Sequence, residues 1–228
     1  MTLRMIVLLM SVVALSHGQS TTRIEPVERE NTIAVYAGMG VHQVAVPDLV
    51  EYVNTVALSS QRVNDFGIGI GFFGGVQIPV SADWGVAIDH TYLFRSASFT
   101  ANLGGTYDVL YSVQAPTLIV QRIVSGKGYF LKAGAGVGYR SALVTQKVST
   151  FGITTEYRAS GVGFEVQGDG QTAFGTDLFG YIGLTAGWST LGTLKDGNGT
   201  ALSAGGTSSP VRGGYYHGGL RFGLIQYF

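Results

Sequence analysis

Few residues in this chain are typed and spaced for chemistry. There is no cysteine, so no thiolate is available as a nucleophile or metal ligand and no disulfide can form. His42, His90 and His217 have no metal-ligand spacing among themselves. The run "AGAGVG" (Ala133–Gly138) resembles a dinucleotide fingerprint only loosely, because it lies inside an alternating segment with no helix after it. "SGKG" (Ser125–Gly128) lacks the rest of a phosphate loop and reads as a turn. Local motifs therefore yield no catalytic, cofactor-binding or metal-ligating residue. What remains is a scattered set of charges: Asp89, Arg95, Asp108, Arg122, Lys132, Arg140, Glu165, Asp177 and Arg221. They could pair with one another in a closed interior, or line a narrow polar path for ions and small solutes. The choice depends on the elements that hold them.

Composition narrows those elements. Lys plus Arg and Asp plus Glu number 14 each, so no basic field points to nucleic acid. Charged residues make up 12% while glycine reaches 35 residues. That charged share is about half the usual one and suits an outer surface that meets something other than water. At the start, "MTLRMIVLLMSVVALSHGQS" places Arg4 before an apolar run from Met5 to Leu15 and small residues at Ser16 and Gly18. This order predicts a signal peptide over residues 1–18, cut near Gly18. The run is too short for a spanning helix, and no other segment has the ~20 unbroken apolar residues one needs. Residues 19–31 are polar and charged and read as a flexible lead-in. From 32 to 228 the chain keeps one texture of alternation with no linker, so it forms one domain.

Eight segments read as strands: Thr32–Val41, Phe66–Val80, Trp84–Arg95, Thr106–Ile123, Gly128–Ser141, Ser160–Gln167, Phe174–Thr190 and Gly213–Phe228. The fourth carries Pro116, which cannot donate to a ladder. Tight connections after Val80, at Val124–Lys127 and at Gly168–Ala173 alternate with long ones at His42–Asp65, Ser96–Gly105, Ala142–Ala159 and Leu191–Arg212. An up-and-down sheet would carry the tight turns on one rim and the long loops on the other. A hairpin inside a long loop would raise the count to ten. The first long loop predicts a helix near 47–58, since Pro47 suits a first turn and Leu49, Tyr52, Val53 and Val56 form one stripe. Such a helix would pack over the mouth or serve as its lid.

Parity then separates two faces. The apolar one carries Ile33, Val35, Ala37, Met39 and Val41, and in the second strand Ile68, Ile70, Phe72, Val76 and Ile78. In the fourth strand the same reading assigns Tyr107, Val109, Tyr111, Val113 and Ile119 to it. The nine charges fall on the opposite face, together with many glycines, as a crowded small-barrel interior requires. Apolar-face aromatics gather near strand ends, with Phe66, Phe94, Tyr107, Tyr139, Trp188 and Tyr216 at one level and Trp84, Tyr129 and Phe228 at the other. Two such belts match the two interfaces of a bilayer. A charge facing lipid at mid-depth costs roughly 2–4 kcal/mol, which explains its exclusion from that face. The apolar face points into lipid, the reverse of a soluble ligand-carrying barrel.

With its signal peptide, alternating strands, long and short connections in turn and terminal Phe228, the chain resembles the small outer-membrane β-barrels of bacteria, OmpA- and OmpX-like. The resemblance implies an all-β, eight-stranded antiparallel up-and-down transmembrane barrel in a bacterial outer membrane, with residues 19–31 in the periplasm. It also implies that the barrel-assembly machinery reads the last strand; Leu220, Phe222, Leu224 and Phe228 match that signal, while Gln226 departs from it. Expected partners are outer-membrane lipids, that machinery during biogenesis, and an unidentified surface ligand at the long loops; no cofactor is expected. No peptidoglycan-binding domain follows, so wall tethering is not expected. Some barrels of this kind modify lipid with an outward His and Ser, but His90 lacks a His-x-Ser partner and no enzyme is expected. The function expected is structural or surface-recognising, with a polar interior closed by charge pairs. The alternative is a narrow channel for small hydrophilic or amphipathic solutes.

Overall fold

The computed structural model describes residues 32–56, 67–100, 106–148, 152–203 and 209–228, so the expected signal peptide and the segment 19–31 lie outside the described residues. The strands are β1 (Ala34–Ala45), β2 (Gly67–Pro79), β3 (Trp84–Thr100), β4 (Thr106–Gly126), β5 (Tyr129–Val148), β6 (Ile153–Ala173), β7 (Leu178–Leu191) and β8 (Tyr215–Tyr227). Each pairs antiparallel with the next, and β8 returns to β1 from Ala34↔Tyr227 to Ala45↔Tyr216, closing the barrel. Closure leaves no ladder edge within the lipid layer, where nothing could hydrate one. Lys127 and Gly128 make a two-residue hairpin between Gly126 and Tyr129, and Gly128 sits at φ 77°, a conformation β-carbons disfavour. Among the described residues the β7–β8 connection adds only isolated bridges, so the count is eight and the ten-strand alternative falls away.

The wall is uneven. β1, β2, β7 and β8 have 12 to 14 residues, whereas β4, β5 and β6 have 20 or 21. Within the segments expected as loops at Ser96–Gly105 and Ala142–Ala159, residues 96–100, 142–148 and 153–159 are strand, paired up to Thr100↔Thr106 and Val148↔Ile153. The reason is a change of solvent. Beyond the bilayer the outward positions become Ser96, Ser98, Thr145, Lys147, Glu156 and Arg158, so the lipid-type alternation stops while the ladder continues. β6 also runs further at its other end: Gly168–Ala173, expected as a turn, is strand, and the turn lies at 174–177.

β4 requires a second correction. Tyr107, Val109, Tyr111, Val113 and Ile119 face inward and are buried, while Leu110, Leu118, Val120 and Val124 face out. Both faces of this strand are apolar, so parity alone could not orient it. Its inner face is apolar because it does not meet a polar lumen there. The helix α1 (Pro47–Val56) lies in the mouth and presses Leu49, Tyr52 and Val53 onto Tyr107, Val109, Tyr111 and Val113. Leu194, Leu202 and Val211 of the β7–β8 connection join this cluster. Tyr52 donates to Gln146 Oε1 at 3.3 Å and the Arg212 N–H to Asp48 Oδ2 at 3.3 Å, tying the helix to both sides of the mouth.

Candidate functional site: the lumen, the lipid face and the rim

The interior has three tiers. At the short-turn end the aromatic rings of Tyr36, Phe73, Phe179, Tyr181 and Tyr227 pack with Ile225 across the bore. The apolar tier under α1 fills the other end. Between them lie six buried charges, three cationic (Lys132, Arg140, Arg221) and three anionic (Asp89, Glu165, Asp169). Arg221 is central. It bonds Asp89 Oδ2 at 2.6 Å and Gln167 Oε1 at 3.2 Å, lies 3.6 Å from Glu165, and stacks 3.7 Å from the Phe73 ring centroid. Asp89 also accepts from Tyr36 at 3.1 Å and Thr91 at 2.9 Å, and Glu165 from Thr185 at 2.8 Å. Lys132 donates to Gln77 Oε1 and to Tyr227, which in turn donates to Gln171 at 2.6 Å; Gln171 reaches Asp169 at 3.0 Å. A buried charge without a partner is costly, and here each has an opposite charge or a hydrogen-bonded chain to one.

Arg140 has a further task. The β4–β5 ladder stops at Gln114↔Ser141 and resumes at Thr117↔Gly138. Pro116 sits in the gap with no N–H to give. Arg140 Nη1 donates to the carbonyls of Pro116 and Tyr139, both at 3.1 Å, while Nη2 reaches Glu165 at 3.5 Å. The guanidinium thus replaces a missing ladder donor from inside the wall.

Of the nine charges expected inside, Asp89, Lys132, Arg140, Glu165 and Arg221 converge there. Arg95 has inward parity but lies at the upper, half-buried stretch of β3. Three expectations are corrected. Asp108 faces outward on the extended part of β4, beside Ser98 at 2.5 Å, and Arg122 faces outward opposite Trp84 at the short-turn end. Both follow from the inverted parity of β4. Asp177 lies exposed in the β6–β7 turn, which begins later than expected. Asp169 takes a place in the network that sequence reasoning missed; continuing the β6 parity from Glu165 through Gln167 would have found it.

Register also joins two histidines that are distant in sequence. His42 and His217 both face inward on the adjacent strands β1 and β8, with ring centroids 5.8 Å apart. A Cβ at Gly40, Gly71 or Gly219 would come within 2.9 Å of the His42 ring, so three glycines make its room. Both nitrogens of His42 and Nδ1 of His217 lack a hydrogen-bond partner among the described residues. Beside them is a cavity of about 10 Å³, bounded by Glu165, Thr185 and Arg221. That is about the room of one water. No group of three or more potential ligands for a metal occurs among the described residues.

The outer surface carries the lipid-type pattern. Trp84, Ile88, Tyr129, Leu131, Val137, Tyr139, Ile182, Leu184, Trp188, Leu220, Phe222 and Leu224 are exposed. Trp84 and Phe94, like Tyr129 and Tyr139, lie ten residues apart. That is about 33 Å along a strand and about 25 Å of height at the usual tilt, the thickness of an outer-membrane apolar band. Phe228 is 76% exposed at the lower edge, its N–H bonded to the Ile33 carbonyl at 3.0 Å. His90 is outward near mid-height, opposite Gly74 and Pro116.

Comparison with solved structures returns barrels of the same kind. Neisserial surface protein A is 12% identical, covering 86% of this chain and 97% of that one, with a TM-score of 0.51. Ail, the attachment invasion locus protein of Yersinia pestis, is 12% identical over 88% of this chain and 100% of that one, with a TM-score of 0.48. The outer membrane protein OprG from Pseudomonas aeruginosa is 10% identical over 87% and 96%, also at 0.48. No family model and no curated protein matches the sequence. At these identities the likeness is one of fold. The fold is that of the small bacterial outer-membrane β-barrels, and the belt of exposed apolar side chains is the surface such a barrel turns to lipid.

Proposed function

We propose that the protein is a non-enzymatic, non-conducting outer-membrane barrel whose work is structural or recognitive and is done by the rim above the bilayer. One observation carries this reading: among the described residues, packed side chains occupy all three tiers of the bore, and the cavity beside the histidines is about 10 Å³. An eight-stranded interior is just wide enough for side chains to fill. The rim has material for recognition, because β3 to β6 continue as a tall wall braced by α1 and the β7–β8 connection. The non-enzymatic part is supported by His90, whose cross-strand neighbours Gly74 and Pro116 supply neither nucleophile nor orienting acid. The experiment is ion flux through protein reconstituted in planar bilayers from its folded, unboiled fraction. A silent membrane is expected; regular unitary steps would overturn the sealed interior and favour the narrow channel.

A further inference from the structure

After β7 the chain does not leave the wall. The Gly192 N–H donates to the Ser160 carbonyl at 3.0 Å, and Lys195 pairs with Arg158 of β6 through both backbone bonds, at 2.7 and 3.0 Å. Residues directly opposite in an antiparallel pair send their side chains to one face, with Cβ atoms about 4.5–5.5 Å apart, and like charges there repel. Arg158 and Lys195 are such a pair, both exposed. Glu156, 3.3 Å from Arg158, answers only part of that charge. Asp196 brings a second carboxylate to the same cleft; its Oδ1 accepts the N–H groups of Asn198 at 2.9 Å and Thr200 at 2.8 Å, which locks a turn and holds that oxygen on the backbone. That turn forms the far wall of a cleft of about 550 Å³, with Thr154, Glu156 and Arg158 on the near side. Its size is that of a small-ligand site.

We propose that this cleft binds an anionic sugar. The anionic group, a phosphate in the simplest case, lies between the Arg158 guanidinium and the Lys195 ammonium and relieves their repulsion. The sugar hydroxyls meet Thr154, Glu156 and Asn198. Height fits this chemistry. Val162 is the last apolar outward residue of β6, and Arg158 lies four residues beyond it, about 13 Å along the strand and about 10 Å above the hydrocarbon. That is the layer of lipid headgroups and their sugars. The ligand can come from an outer-leaflet glycolipid or from a soluble anionic saccharide. The inference rests on the reading that the rim carries recognition; conductance tests the sealed lumen separately from it.

The test is calorimetric titration of the folded full chain in detergent with three probes: glucosamine 1-phosphate, glucosamine and inorganic phosphate. The phosphosugar is expected to bind, more weakly at high salt, and more tightly than either part alone. Lys195→Ala and Arg158→Ala should each weaken it about tenfold or more, the loss of one charge-assisted hydrogen bond. Glu156→Gln keeps a hydrogen-bonding group for the hydroxyls and removes the carboxylate that competes with the ligand's anion for Arg158, so it should raise affinity. Both cations are exposed, so each variant should keep the unboiled SDS mobility of the folded barrel. A phosphorylated glycolipid that co-purifies with the wild type and not with the double variant assigns the membrane source; phosphosugar binding without it assigns the soluble one. No binding by any probe, inorganic phosphate binding as tightly as the phosphosugar, or folded variants that bind unchanged would each overturn the proposal.

Discussion

Replacing Arg221 by methionine probes the interior most sharply. The substitution keeps part of the side-chain volume and removes the charge that Asp89 meets at 2.6 Å and Glu165 at 3.6 Å. Asp89 would keep only the hydroxyls of Tyr36 and Thr91, and Glu165 would keep Thr185 and the longer contact to Arg140. Both Arg221 and Asp89 are 1% exposed, so solvent cannot make up the loss. Breaking a buried pair of this kind costs about 3–5 kcal/mol, or roughly two to three and a half decades in the folding equilibrium. Loss of the contact with the Phe73 ring falls within that range. Reversible urea unfolding in lipid vesicles would measure it, followed by Trp84 and Trp188, which sit at the two edges of the belt. Adding Asp89→Asn should recover part of the loss, with a coupling of about 1–3 kcal/mol. A loss below about 1 kcal/mol for the single variant, or strict additivity of the pair, would refute the description of a desolvated ion pair that closes the lumen.

Other perturbations separate the remaining features. Arg140→Ala should destabilise by about 2–4 kcal/mol, and less in a Pro116→Ala background, where a backbone N–H returns to the gap; urea unfolding of the two variants and their combination reads the difference. Leu118→Arg should cost roughly 2–4 kcal/mol in the same assay because β4 presents that position to lipid, whereas Asp108→Arg on the same parity should change stability by less than about 0.5 kcal/mol, being above the bilayer. Removing Phe228, or replacing it with Ser, should lower the fraction of chain that reaches the heat-modifiable state in cells, and Gln226→Tyr should raise it, if the alternating terminal residues are what the assembly machinery reads.

The sequence made the lipid face legible and much of the interior as well, for a physical reason. Within the bilayer every outward position faces one solvent, so Val35, Ile70, Ile88, Leu131, Ile182 and Leu224 announce their side by apolarity alone. That rule ends where the bilayer ends. β3 to β6 continue upward with Ser98, Lys147 and Arg158 facing water, and a pattern tuned to lipid reads those residues as loops. β4 is the instructive failure, since it meets lipid on one face and the α1 cluster on the other. With Leu118 and Ile119 equally apolar, only the register against β3 and β5 decides which points out, and Asp108 and Arg122 moved with that decision. His42 and His217 illustrate a different limit. Sequence distance separates them by most of the chain, and only closure of β8 onto β1 brings the rings together. The cleft at Arg158 and Lys195 was hidden in the same way, because its two cations meet through an isolated bridge beyond the end of β7.

The measurement closest to the central claim is the SDS-gel mobility of membrane-extracted protein, compared before and after boiling. If the apolar face lies in lipid and β8 closes on β1, the unboiled protein keeps its barrel in SDS and migrates differently from the boiled chain. If mobility does not change and the protein is recovered in the soluble fraction, the belt from Trp84 to Phe94 does not face a membrane and the account fails.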